Sequence, residues 1–183
     1  MRILFIYPKT QLNLAQGNMP PLPVLSLASF LKREGHEVRI YERNIDDKSI
    51  ARTIEEFGPG VVSCTLLFAQ QIRDMRTVCR EIRALRPCLP IFCGGLMASL
   101  IPELILKEGL ADYIGIGEGE YTFLELLEVA GGRREPSAVQ SIVYPGEDGR
   151  PVHTPLRPFA DLKDFPETDF TLLPMEKYFS GKS

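Results

Sequence analysis

Histidine is almost missing from this chain of 183 residues: His36 and His153 are the only two. Neither has a sequence neighbour that would make it a catalytic base, and His36 simply follows Gly35 at what reads as a helix exit. The four cysteines, Cys64, Cys79, Cys88 and Cys93, show no CxxC spacing, which argues against metal ligation. Three of them fall where strands or a helix would bury them as small hydrophobes. A basic stripe is also absent. Lys and Arg number 21 against 24 Asp and Glu, with both signs spread along the chain, so the electrostatic footprint of a nucleic-acid binder is missing. No apolar run approaches the roughly 20 residues of a membrane span. The apolar start, MRILFIYP, is too short for a signal peptide, and no small-residue cleavage site follows it. These absences describe a cytoplasmic protein whose thiols stay reduced.

What is present is ordinary in bulk, 44% hydrophobic and 25% charged, and highly ordered in pattern. RILFIY, EVRIYE, VVSCTLLF, PIFCGG and DYIGIG read as five strands. Between them lie helical spacings: Val24, Leu27, Ala28 and Leu31; Ile50, Ile54 and Phe57; Ile72, Met75, Cys79, Ile82 and Leu85. Asp46 or Asp47 can cap the second of these, and Pro102 suits the first turn of a helix through ELILKEG. YTFLELLEVAGG supplies a fifth helix, ended by Gly131 and Gly132. Five βα units with apolar strands and short connections predict an α/β fold: a doubly wound, Rossmann- or flavodoxin-like, five-stranded parallel sheet of order 2-1-3-4-5. SIVYPGEDGRPVHT predicts a C-terminal β-hairpin, and the Pro-rich remainder an extended arm. Residues 1–132 are therefore read as one domain and 133–183 as hairpin and linker.

In such a sheet, ligands bind beyond the carboxyl ends of the strands. That edge collects Thr65, Leu66 and Leu67 after the third strand, Gly94, Gly95 and Leu96 after the fourth, and Gly115, Gly117, Glu118, Gly119 and Glu120 after the fifth. The double glycine lets a flat group approach the backbone, Thr65 offers a hydroxyl to a ring nitrogen or phosphate, and Leu67 and Leu96 offer apolar walls. A valine at either Gly94 or Gly95 is expected to block the crevice and leave the fold intact. The acids of GEGE suit the N-terminus of the fifth helix, where they complement its dipole and can cap N–H groups. They repel phosphate, so the part of a ligand nearest them is uncharged or hydroxyl-rich.

Dinucleotide binding fails on position, because its glycine fingerprint belongs after the first strand, and YPKTQLNLAQGNMPP holds one glycine. FMN would want a hydroxyl-rich loop there, for which Thr10 alone is thin. A receiver domain would want a phosphoacceptor Asp where Thr65 stands.

Taken together, a helix ending in GHEV, then GPGVVSCTLLF, PIFCGG and GIGEGE, resembles the N-terminal cobalamin-binding domain of B12-dependent radical SAM enzymes. The tail, from SIVY to FADLKDFPETDFTLLPMEKYF, resembles the stretch leading into their radical SAM barrel. Thr65 and Leu67 match the family's hydroxyl-x-Leu signature beside the nucleotide tail. Gly94 and Gly95 match its double glycine beneath the dimethylbenzimidazole, and Gly117 to Glu120 its tail-side loop. The DxHxxG signature is absent, which implies cobalamin bound base-off without a histidine ligand. CxxxCxxC is absent too, so the [4Fe-4S] cluster and S-adenosylmethionine would belong to a barrel outside these residues. The resemblance implies a parent that is a methyltransferase or an anaerobic magnesium-protoporphyrin IX monomethyl ester cyclase, acting on a small-molecule substrate. This domain would not be catalytic alone. The alternative is a degenerate B12-type domain that serves as scaffold or substrate dock. Residues 12–21 are assigned, on position, to the upper face of the corrin.

Overall fold

Along β1 (Arg2–Tyr7), Ile3, Phe5 and Tyr7 face one side, Leu4 and Ile6 the other, and all five are buried. A strand apolar on both faces needs cover on both, as in the interior of a parallel sheet. The computed structural model describes residues 1–10, 19–46 and 48–179 and shows that cover. The chain continues through α1 (Leu22–Arg33), β2 (Glu37–Glu42), α2 (Ile50–Phe57), β3 (Val61–Thr65), α3 (Gln71–Leu85) and β4 (Ile91–Gly94). It then forms α4 (Leu96–Leu100), α5 (Pro102–Lys107), β5 (Tyr113–Gly115) and α6 (Glu120–Ala130). Helices α2 to α5 pack on Leu4, Ile6, Val62 and Cys64, while α1 and α6 pack on Ile3, Phe5, Val61 and Phe92.

Strands β1 to β5 run parallel in the order 2-1-3-4-5, but the sheet has seven strands and not five. The hairpin, β6 (Ile142–Pro145) and β7 (Pro151–His153), extends it antiparallel from β5. The reason is the weakness of β5 as an edge: three residues long, it would present unpaired backbone to water. β6 covers it, burying Ile142 in one core and Val143 in the other. Two local expectations also change. The chain after the double glycine forms a separate short α4, breaks at Ile101 and restarts at Pro102, which cannot donate to a continuing helix. The cap of α2 is Ser49, whose Oγ accepts from Arg52 N at 3.3 Å, while Asp46 accepts from Lys48 N. Asp47 lies outside the described residues.

The arm is fastened to the loop before α6 and to the C-terminal end of α1. Ala160 N donates to Glu118 Oε2 at 2.9 Å, Arg33 Nη1 to the Asp164 carbonyl at 2.7 Å, and Asp169 N to Ser29 Oγ at 2.8 Å. Phe165 packs edge-on against Phe30, 5.8 Å between ring centres. The final helix, α7 (Glu176–Phe179), brings Tyr178 into the core, where its hydroxyl donates to Glu42 Oε2 at 3.2 Å. Glu42 is 2% exposed, and burial raises its pKa against the opposing pull of hydrogen bonds from Asn44 and Tyr178.

A carboxyl with a raised folded-state pKa holds its proton to higher pH folded than unfolded. Its stabilising contribution is complete below the unfolded pKa and is lost as pH rises through the folded one. Glu42→Gln should therefore flatten the stability profile as pH rises above the ordinary glutamate range, relative to the wild type. Chemical denaturation at several pH values measures this, and parallel profiles would show that Glu42 titrates normally.

Candidate functional site

Thr65 and Gly94 end β3 and β4 and stand opposite each other in register, with Ser63 opposite Phe92 one pleat deeper. Period-2 alternation puts Val62 and Cys64 on the α2–α5 side, so Ser63 and Thr65 face α1 and α6. Over these residues lies a cavity of about 250 Å³. Its sides are Leu27 of α1 and Phe123 and Leu126 of α6, and its mouth is the turn from Gly115 to Glu120. The volume falls below the roughly 300–1,000 Å³ of pockets that enclose a whole drug-sized ligand. It suits a flat fragment of something larger.

Gly94, the last residue of β4, and Gly95, which follows it, do different work. A Cβ built on Gly94 meets nothing within 4 Å, so the cavity extends over this position because the side chain is missing. A Cβ on Gly95 would come 2.6 Å from the Leu66 carbonyl oxygen, and its φ of +95° is one that L side chains rarely adopt. Gly95 is thus needed by the backbone, which corrects the expectation that valine there would spare the fold. The carbonyl it would strike accepts from Met97 N at 3.0 Å, and Leu66 N donates to Gly94 O, so the exits of β3 and β4 are stitched together here.

The acids of the GEGE loop are engaged by side chains and backbone elsewhere. Glu118 accepts from Ala160 N of the arm, and Glu120 Oε1 accepts from Ser26 Oγ of α1 at 3.4 Å. The start of α6 has no side-chain cap, so the expected capping is not what they do, although Glu120 does lie in its first turn. Gly117, at φ +76°, turns the loop and donates its N–H to Ser99 Oγ at 3.3 Å.

Of the residues singled out from the sequence, the cavity brings together Thr65, Gly94, Gly95, Gly115 and the run Gly117 to Glu120. Leu66, Leu67 and Leu96 are elsewhere. Leu66 is buried in the α2–α5 core, and Leu96 is 63% exposed on α4, so neither walls the cavity. Leu67 lines a second, apolar hollow of about 270 Å³ at the same edge, with Tyr7, Met19, Pro20, Pro21 and Phe68. Of residues 12–21, the positions 12–18 lie outside the described residues. Ser63, Leu27, Phe92, Phe123 and Leu126 were not foreseen as site residues. The available signal was VVSCT itself, where the two polar side chains fall two apart in an apolar strand.

A wider depression of about 1120 Å³ opens at the opposite, amino-terminal edge. Its polar groups serve each other: Arg83 pairs with Asp112 at 2.7 Å, and Asp112 also accepts from Ile91 N. It has none of the glycine cradle found at the carboxyl edge, where parallel sheets bind ligands. No helix among the described residues is long and apolar enough to cross a membrane.

Known proteins are similar to this chain in sequence and in fold. The chain is 31% identical over 186 residues to the uncharacterized methyltransferase PH0819 of Pyrococcus horikoshii, a match covering 97% of this chain and 40% of that protein. It is 29% identical over 188 residues to the anaerobic magnesium-protoporphyrin IX monomethyl ester cyclase of Rubrivivax gelatinosus, covering 97% and 34%. It therefore spans two fifths or less of these relatives' length. In fold it is similar to the cobalamin-dependent S-adenosylmethionine radical enzyme OxsB, solved with aqua-cobalamin and S-adenosylmethionine bound. That likeness has a TM-score of 0.79 at 18% identity and covers 90% of this chain and 23% of that one. The profile of the B12 binding domain matches residues 9–127, more than half of the chain and all of the glycine-floored cavity's strands and loops, and the chain belongs to that family.

Proposed function

We propose that this chain binds cobalamin, with the base of the cofactor's nucleotide tail seated in the cavity over Gly94. The observation that carries the reading is the room above Gly94 in a B12 binding domain, walled by Leu27, Phe123 and Leu126 and faced by the hydroxyl-bearing Thr65. A flat, largely uncharged heterocycle fits those residues. Thr65, Gly94, Gly95, Gly115 and Gly117 to Glu120 would surround the base and its sugar. Leu67, Phe68 and the Pro20–Pro21 pair would meet the macrocycle outside.

Base-off binding without a histidine ligand is supported by where the histidines sit. His36 Nδ1 lies 3.3 Å from the Met1 amino group, and His153 Nε2 lies 2.9 Å from Glu103, both away from the carboxyl edge. The first loop, residues 8–21, holds no histidine. When bound, the corrinoid supplies cobalt-centred group-transfer chemistry. The chain's own residues bind the tail, orient the ring and keep water from the base.

We place residues 1–132 as the cobalamin-binding domain and residues 133–183 as hairpin and linker toward a radical SAM barrel of a longer protein. There, a [4Fe-4S] cluster and S-adenosylmethionine would act on a small-molecule substrate. The relatives' names support methyl transfer or oxidative cyclisation as the reaction. The four free cysteines support a cytoplasmic setting. The test is titration with hydroxocobalamin followed by visible absorption and calorimetry, on this chain and on a protein that contains it. Saturable binding with a spectrum shifted to the base-off form is expected. An unchanged spectrum with both proteins would sink the reading and leave a scaffold.

A further inference from the structure

Six serines and threonines are buried among the described residues: Ser29, Thr53, Ser63, Thr65, Thr122 and Ser141. Four have hydroxyl partners in the protein. Ser29 donates to Leu25 O, Thr53 to Ser49 O and Thr122 to Gln140 O, while Ser141 accepts from Arg157 N. The other two, Ser63 at 4% exposure and Thr65 at 7%, have no hydroxyl partner among the described residues. Both line the cavity. Neither oxygen is among the fully buried atoms left without a partner, so both hydroxyls open into the cavity, and a ligand that fills it must either hydrogen-bond them or seal them from water at a cost.

Their spacing says which parts of that ligand they meet. Two residues along a parallel strand separate them by roughly 6.6 Å. Thr65 stands at the mouth beside Gly94, and Ser63 stands deep beside Phe92, whose ring packs on Phe123 with centres 5.2 Å apart. Resting on the corrinoid reading above, the base enters tethered through its ribose to a cofactor far too large for about 250 Å³. Its tethered end therefore lies at the mouth, and its far edge lies against Ser63.

We propose that Ser63 makes the cavity selective for corrinoids whose lower base carries a hydrogen-bonding atom on the edge far from the ribose. Adenine is such a base, with ring nitrogens and an exocyclic amine on its six-membered ring. The 5,6-dimethylbenzimidazole of cobalamin is not: its far edge is two methyl groups, which would seal the Ser63 hydroxyl away from water without a partner. A site built to hydrogen-bond a polar edge discriminates against an analogue that lacks it.

The experiment measures dissociation constants for cobalamin, for the corrinoid with an adenine lower base and for cobinamide, which has no base. It uses the wild-type chain and its Ser63→Ala variant. The wild type should bind the adenine form about tenfold tighter than cobalamin, the size of one gained or orphaned hydrogen bond. Ser63→Ala should bring the ratio to one or below. Equal wild-type affinities, a ratio untouched by Ser63→Ala, or a variant weakened alike for all three corrinoids would each overturn the proposal while leaving the corrinoid reading in place. Cobinamide binding as tightly as the other two would remove the base from the cavity. Binding of none of the three, by this chain and by a longer protein that contains it, would overturn the corrinoid reading itself, and this proposal with it.

Discussion

A Gly94→Val protein should fold as the wild type does and bind cobalamin at least about 100-fold more weakly, a loss of roughly 2.7 kcal/mol. The backbone tolerates the change, because a Cβ at this position meets nothing within 4 Å and a β-branched side chain suits a strand. Its stability should lie within about 1 kcal/mol of wild type. The added carbons instead occupy the cavity beside Thr65, where the base is proposed to lie. Calorimetric titration against hydroxocobalamin, with a thermal melt of the same sample, reads both halves of the expectation. A folded variant with unchanged affinity would place the base elsewhere.

Gly95→Ala should show the opposite pattern, a stability loss of about 2–4 kcal/mol whether or not ligand is present. Two costs combine. The residue is held at φ +95°, and its new Cβ would sit 2.6 Å from the Leu66 carbonyl oxygen, a backbone atom that also accepts from Met97 N. Relief requires moving the exit of β3 away from that of β4. For a chain of this size the melting temperature should fall by roughly 5–15 °C. A melt within a degree or two of wild type would show that this junction yields more readily than the geometry implies.

The contrast between two adjacent glycines marks where the sequence stops being legible. PIFCGG announces a strand that ends in unhindered backbone, but only the register of Gly94 against Thr65 says which glycine faces the cavity. The five strands were readable because each is an apolar run closed by Gly, Pro or a polar loop. The sheet's true edge was not, since β6 is placed by the shortness of β5 and by burial of Ile142 and Val143 in separate cores. Leu96 looked like a wall because it follows the double glycine, yet the turn into α4 sends it to solvent. Glu118 looked like a cap because it precedes a helix. Its actual partner, Ala160 N, is 42 residues further on, beyond the reach of any local rule. Ser63 passed as a small filler in an apolar strand, and it becomes conspicuous only once its hydroxyl is seen to lack a partner.

The arm fastened to α1 has a consequence in time. Ser29 and the Asp169 N–H that it receives are 140 residues apart, and Tyr178 reaches Glu42 across 136. At the usual pace of synthesis the C-terminal end of α1 waits on the order of 10 s for its cover. During that interval Phe30 lacks one of the two aromatic rings packed edge-on against it, Phe165, and keeps only Tyr121. Contacts so distant in sequence form late. The nascent chain thus passes through a stage in which its sheet can assemble while one helix still lacks part of its cover.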